Sequence, residues 1–281
     1  MQHEIESEPE PAFGRFLRFW RSVHKLSQEA LADRLDSSPR HISRLENGSS
    51  RPSESMVLDI SRALELGMRD SNHLLISAGF ASIEEEIDFH SPNLKWLRKS
   101  MTMTLKALDP FPAALLDRSA NILMVNRGWV GVFRDNIGQS ALEKVTNHYD
   151  FLFNQEGAGS LVSNREDTLS VILMSLKQRA LFSDDKVDQD LLDRLETHPS
   201  VPQDWQQRAA RLEPMASFRV QMSINGGLKR FFSVITTVGA LGPTAYASEP
   251  KLSMHTLYPE DDHLDLNPFI DENLSHPLLF Y

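Results

Sequence analysis

Arg34, Arg40, Arg44 and Arg51 lie close together in the only basic part of an acidic chain. A guanidinium group can donate two hydrogen bonds to the O6 and N7 atoms of guanine, or pair with a phosphate. The chain has a formal net charge of -10, but residues 13–79 carry +2, residues 1–12 carry -4 and residues 80–281 carry -8. Because an acidic surface repels phosphate, the charge distribution confines any nucleic acid to residues 13–79.

Five helices are predicted in this region, and they position these arginines: three lie on helices and Arg51 lies between the third helix and the fourth. Apolar residues at helical spacing place the helices at about residues 14–25, 27–35, 38–47, 53–66 and 70–78. Ser27 and Ser38 are suitable N-caps, and Pro39 stands at a first helical position, where a missing N–H costs nothing. Asn47-Gly48 is a typical helix end.

Two short helices joined by the polar turn at residues 36–38 are typical of a helix-turn-helix unit. The third helix would then be the one that enters the major groove of double-stranded DNA. Gln28, at the start of the second helix, is predicted to direct its amide toward the phosphate backbone. The alternative is a helical bundle whose basic residues are merely solvated. The candidate DNA-binding residues are Gln28, Ser38, Pro39, Arg40, Ser43, Arg44, Asn47 and Arg51.

Three strings carry a family resemblance in this region: SQEALA at residues 27–32, SPRHISRLENG at 38–48 and RPS at 51–53. Together they resemble the Cro/XRE type of repressor domain, which implies an all-α, five-helix, lambda-repressor-like fold. The resemblance implies that Gln28, Arg40, Ser43 and Arg44 contact DNA and that Asn47 and Arg51 hold phosphates. It also implies a largely buried ion pair between Arg21 and Glu46.

The second half is predicted to be an α+β domain. A helix with one apolar stripe begins at Ser91-Pro92, two strands surround the turn at residues 118–120, and residues 139–212 are mainly helical. Asn126 is predicted to cap the helix that follows the second strand. Alternating residues then predict strands at 218–224, 229–238 and 251–258, the first two joined by a hairpin turn at Asn225-Gly226-Gly227. This order predicts a mixed sheet with a helical insertion on one face.

The strings PFPAALLDR at residues 110–118, NILMVN at 121–126 and LYPED at 257–261 resemble the PAS-like ligand-binding domain of MmyB-type regulators. That resemblance implies an apolar small-molecule effector, such as a fatty acid, held between the sheet and the helices. Aromatic and aliphatic residues could line the space, although they could equally form an ordinary core. The candidate ligand-binding residues are Phe111, Leu115, Leu123, Trp129, Phe133, Phe151, Met222 and Phe232, with Phe153 as a further aromatic.

The sequence gives little support for catalysis or for metal binding. The absence of cysteine excludes disulfides, thiol catalysis and the common structural zinc sites. The histidines lack the helical spacing of metal ligands, His255 reads as a packed or solvated strand residue, and the acidic stretch 260–265 reads as a solvated loop. We therefore expect no catalytic site, no metal and no cofactor. No stretch approaches the roughly 18 apolar residues that span a bilayer, so we expect a cytoplasmic protein that does not bind membranes.

The expected organisation is an acidic disordered tail (1–12), a DNA-binding domain (13–80), a linker (81–92), a ligand-binding domain (93–262) and a C-terminal tail (263–281). One DNA-reading helix contacts few base pairs, and selecting one site in a genome requires a second such helix. We therefore predict a homodimer. Two functions remain open: a ligand-responsive transcription factor, or a DNA-binding regulator whose second half serves only dimerisation or other protein association.

Overall fold

A computed structural model describes residues 11–83, 88–183, 186–212, 218–224, 226–238 and 252–281. They form two compact units, the first within residues 11–83 and the second from residue 88 onward. Most of the predicted acidic tail, the acidic part of the predicted linker, Asn225 and Lys251 lie outside the described residues.

The first unit is all α-helical, as predicted. Ser27, Ser38 and Ser53 each accept a hydrogen bond from the backbone N–H three residues later, which satisfies an otherwise unpaired donor at the start of a helix. Leu31, Ile42 and other apolar residues of all five helices meet in one buried cluster. The helices are α1 (Ala12–Val23), α2 (Gln28–Arg34), α3 (Pro39–Glu46), α4 (Glu54–Ala63) and α5 (Met68–Ala78).

The second unit has α+β architecture. Along the described residues of this unit, the chain passes through one helix, two strands, six helices and three more strands. Its helices are α6 (Lys95–Leu108), α7 (Arg127–Ile137), α8 (Gln139–Leu142), α9 (His148–Phe153), α10 (Arg165–Ser183), α11 (Lys186–Glu196) and α12 (Trp205–Arg211). Its strands are β1 (Ala113–Leu116), β2 (Ile122–Val125), β3 (Phe218–Ile224), β4 (Gly227–Val238) and β5 (Leu252–Pro259).

The five strands form one sheet in the order β2-β1-β5-β4-β3, and every neighbouring pair is antiparallel. The expectation of a mixed sheet is therefore wrong. Two hairpins, β1–β2 and β3–β4, are joined by β5, which lies between β1 and β4 and runs antiparallel to both. The predicted hairpin connects β3 to β4, with Ile224 opposite Gly227.

Both faces of the sheet are covered. Leu115 and its cross-strand partner Met254 belong to a buried cluster with Leu105 of α6 on one face. Ala114 belongs to a cluster with Trp129 of α7, which lies on the other face. The alternation of side chains along β1 thus sends neighbouring residues into different cores.

The helix α7 packs unusually close to its neighbours. A Cβ atom on Gly128 would lie 2.3 Å from the carbonyl oxygen of Pro110, and one on Gly131 would lie 1.9 Å from that of Phe269. Both distances are shorter than atoms can tolerate, so only glycine allows this approach. Asn126 caps the helix by accepting a hydrogen bond from the N–H of Trp129 at 2.9 Å, as predicted.

Residues 263–281 are packed rather than forming a free tail. Leu266 and Phe269 are buried in the core that contains Trp129. Leu279 forms an isolated parallel bridge with Val125, and the Tyr281 hydroxyl lies 3.0 Å from Asp109 Oδ2. The apolar residues of this segment cover surface that the sheet and α7 would otherwise expose to water.

Candidate functional site

The first candidate site is the exposed side of α3. Arg40, Arg44, Ser38 and Pro39 are exposed, whereas Ser43 is only partly exposed. Ile42 and Leu45 point into the core and fix the rotation of the helix about its axis. Two arginines one helical turn apart are thereby presented on the same side, as groove recognition requires.

The end of α3 is built by Asn47. Its side-chain oxygen accepts a hydrogen bond of 2.9 Å from the N–H of Ser49, which folds the chain back after the helix. Arg44 Nη2 lies 3.5 Å from the carbonyl oxygen of Ser49 in the same turn. Asn47 and Arg51 are both exposed, so the two predicted phosphate contacts remain accessible.

Gln28 has a different environment from the one predicted. Its amide nitrogen donates to Glu46 Oε2 at 2.9 Å, and Arg21 Nε donates to Glu46 Oε1 at 2.6 Å. Burial alone would raise the pKa of Glu46, but the hydrogen bonds from Arg21 and Gln28 and the positive charges of Arg21 and Arg18 hold it below its ordinary value. The amide of Gln28 therefore braces the unit, and its predicted contact with the phosphate backbone stays a prediction.

The second candidate site is a cavity of about 290 Å³ between the sheet and helices α7, α9 and α10. Its aromatic wall consists of Trp129, Phe133 and Phe151, with the Phe133 and Phe151 ring centroids 5.0 Å apart. Met222 of β3 contributes to the opposite side. Ile235 of β4 lines the cavity and is also 61% exposed, so the cavity opens beside β4.

Four of the eight predicted ligand-binding residues thus lie at this cavity, and four do not. Leu115 and Leu123 pack with α6 on the opposite face of the sheet. Phe111 and Phe232 flank Tyr258 beside a second, wider depression of about 480 Å³. The further aromatic, Phe153, is buried among α10 and α11.

Two histidines that line the cavity were not predicted from the sequence. His148 begins α9, His255 lies on β5, and their ring centroids are 5.1 Å apart. Burial lowers the pKa of His148 to about 3, with His255 as a second cause, and burial lowers the pKa of His255 to about 4. Both rings are therefore uncharged near neutral pH and can each donate and accept a hydrogen bond.

A cluster of charged residues lies near Tyr149, another residue of the cavity wall. Asp188 is fully buried and pairs with Arg118 Nη2 at 2.7 Å and with Arg179 Nε at 2.9 Å. Two guanidinium groups share one carboxylate, so the pairing compensates the negative charge of Asp188, which would be costly to bury alone. None of these three side chains belongs to the described lining of the cavity.

Comparison with protein-family models assigns residues 97–262 to the MmyB-like transcription regulator ligand binding domain, a match that covers more than half of the chain. The chain belongs to the MmyB-like transcription regulators. A helix-turn-helix family model matches residues 24–70 of this MmyB-like regulator. No curated protein matches the chain. Both resemblances drawn from the sequence are confirmed.

The two matches together identify the MmyB-like regulator as a DNA-binding transcription regulator with a ligand-binding domain. The cavity lies within the matched ligand-binding domain, and α3 lies within the matched helix-turn-helix region. Both families are regulatory domains rather than enzymes. Among the described residues, no three metal-binding side chains come together, and no helix has the length and apolarity to cross a membrane.

Proposed function

We propose that this MmyB-like regulator binds a specific DNA operator through α3, and that an apolar small molecule in its cavity changes the affinity for that operator. The observation that carries the proposal is the cavity itself, because a second half that served only association would need no cavity with an aromatic wall. A fatty acid is the ligand class that the family resemblance suggests. We also propose that the ligand-binding domain is PAS-like and that the regulator is cytoplasmic.

Base recognition is assigned to Arg40 and Arg44. Replacing either with alanine is expected to weaken binding to the operator by about 1–3 kcal/mol and to relax the preference at one or two base pairs, since a bidentate contact to guanine would be lost. Arg51→Ala is expected to weaken all sequences alike, because a phosphate contact carries no sequence information. Selection of bound sequences from a random library, followed by titration of the selected site, measures both effects.

The matched control for these variants is Arg62→Ala. Arg62 is exposed on α4 and pairs only locally with Asp59, so its loss should change neither affinity nor preference. If the variants at Arg40 and Arg44 kept the affinity and sequence preference of the parent, α3 would not be the reading helix.

A homodimer on a two-fold symmetric operator is proposed as the DNA-binding form. Trp96 and Met103 are one heptad apart on α6 and are 68% and 64% exposed, which favours an association surface on this helix. Light scattering should give twice the mass of the chain at micromolar concentration, and half-sites should lie about 10 bp apart or a multiple of that spacing. A monomer that binds a lone half-site as tightly as the full operator would contradict this.

Regulation requires that the ligand bind two arrangements of the protein unequally. A coupling of about 1–3 kcal/mol between the ligand and DNA would change operator affinity roughly 5- to 150-fold. The test is an operator titration with and without a panel of apolar ligands. Unchanged affinity for ligands that demonstrably bind would leave the second half as an association module.

A further inference from the structure

The polar side chains of the cavity wall are all of uncharged types at neutral pH. The described lining includes hydroxyl groups and two imidazoles but no lysine, arginine, aspartate or glutamate. Burial raises the pKa of Tyr149, which keeps its phenol protonated. The polar lining residues are His148, Tyr149, Thr168, Ser175, Ser233 and His255.

His148 and His255 stand at one place on this wall. The strand register puts Ala114, His255 and Ile235 in one row across β1, β5 and β4, and all three line the cavity. His148 approaches that row from α9. His255 Nε2 lies 3.2 Å from the hydroxyl of Ser253, whereas His148 Nδ1 is enclosed and has no hydrogen-bond partner among the described residues.

An ionised headgroup fits this wall poorly. Moving a carboxylate out of water costs several kcal/mol unless a cation or several donors replace the lost hydration. Arg118 and Arg179, the cations of the cluster near Tyr149, pair with Asp188 and lie outside the described lining. A hydroxyl or carbonyl group, by contrast, needs only the donors and acceptors that neutral imidazoles offer.

We infer that the cavity selects an uncharged amphiphile, with an apolar body against the aromatic wall and one hydroxyl or carbonyl group held by His148 and His255. The inference rests on the proposed function and narrows its ligand from apolar molecules in general to uncharged ones, so that a fatty acid would bind in its protonated form. A volume of about 290 Å³ lies at the small end of the range for ligand-binding cavities, which favours a short chain.

The experiment compares two probes of equal chain length, 1-nonanol and nonanoate, by calorimetric titration of the full chain. At about pH 8, 1-nonanol should bind at least about tenfold more tightly than nonanoate, since only the acid must lose its charge or be buried as an ion. From about pH 8 to about pH 6, binding of nonanoate should strengthen about a hundredfold as its neutral form becomes more abundant. Binding of 1-nonanol should stay constant, because His148 and His255 titrate well below this range.

Two variants test the proposed contacts. His148→Phe and His255→Phe keep a flat ring but remove its donor and acceptor, so each should weaken 1-nonanol about tenfold. His24→Phe, at an exposed position at the end of α1, is the matched control and should leave binding unchanged.

Nonanoate that binds as tightly as 1-nonanol at about pH 8, with no dependence on pH, would overturn the inference even if the variants misfold. Undiminished binding of 1-nonanol to folded His148→Phe and His255→Phe would overturn the assigned contacts. Failure of a panel of longer and shorter alcohols and acids to bind at all would instead contradict the proposed apolar effector, and the inference would fall with it.

Discussion

Replacing Ala114 with tryptophan is expected to abolish ligand binding while leaving operator affinity in the absence of ligand unchanged. Ala114 lies on β1 in the floor of the cavity and is 2% exposed. The indole would occupy space that the ligand needs. Each methylene group kept out forfeits about 0.8 kcal/mol, so excluding four of them weakens binding more than about a hundredfold. Calorimetric titration with 1-nonanol and nonanoate measures the loss.

Ala141→Trp is the matched control, because Ala141 is exposed on α8, away from the cavity lining. It adds the same ring and should bind ligand like the parent. Ala114→Leu should give an intermediate loss, which separates filling of the cavity from distortion of the sheet. Wild-type affinity in a folded Ala114→Trp protein would show that the ligand binds elsewhere.

Replacing Glu46 with alanine is expected to lower the free energy of unfolding of the first unit by about 3–5 kcal/mol. The Glu46 side chain is 2% exposed and accepts hydrogen bonds from both Arg21 and Gln28. Its removal would leave the guanidinium group of Arg21 partly buried without a counter-charge. Amide hydrogen exchange of residues 11–83 in the full chain measures the change in local opening free energy.

Asp59→Ala provides the comparison with an exposed pair. The side chains of Arg62 and Asp59 are 76% and 48% exposed, so breaking their pair should cost no more than about 1 kcal/mol. The sign of the pH dependence follows from the lowered pKa of Glu46. Its stabilising contribution is fully present above its ordinary pKa and is lost as the pH falls through the lowered folded value. Glu46→Gln should reduce that acid sensitivity; equal losses for Glu46→Ala and Asp59→Ala would contradict the bracing role.

Local chemistry made the helices of the first unit predictable. Ser27 and Ser38 cap their helices because a side-chain oxygen at that position can reach an unpaired N–H, whatever the rest of the fold does. The hairpin between β3 and β4 was predictable for the same reason, since Gly226 adopts the positive φ of 72° that such a turn needs. Within residues 139–212, which were predicted to be mainly helical, the side chain of Asn147 caps a separate helix, α9.

The residues that line the cavity were harder to predict because both faces of the sheet are covered. All four residues of β1 are buried, so its apolar run carries no alternation that distinguishes one face from the other. Leu115 and Ala114 were therefore equivalent from sequence alone, but only Ala114 lines the cavity. His148 and His255 meet only through the packing of α9 on the sheet, and their separation in sequence gives no signal of that contact.

The glycines of α7 also have a mechanical consequence. With Gly128 against Pro110 and Gly131 against Phe269, backbone meets backbone, and no compressible side chain lies between them to absorb a displacement. The side of the cavity that carries Trp129 and Phe133 should therefore be rigid and should not move when a ligand binds. Expansion to admit a bulkier molecule would have to come from α10 or from the opening beside Ile235, and hydrogen exchange on ligand addition should change there rather than in α7.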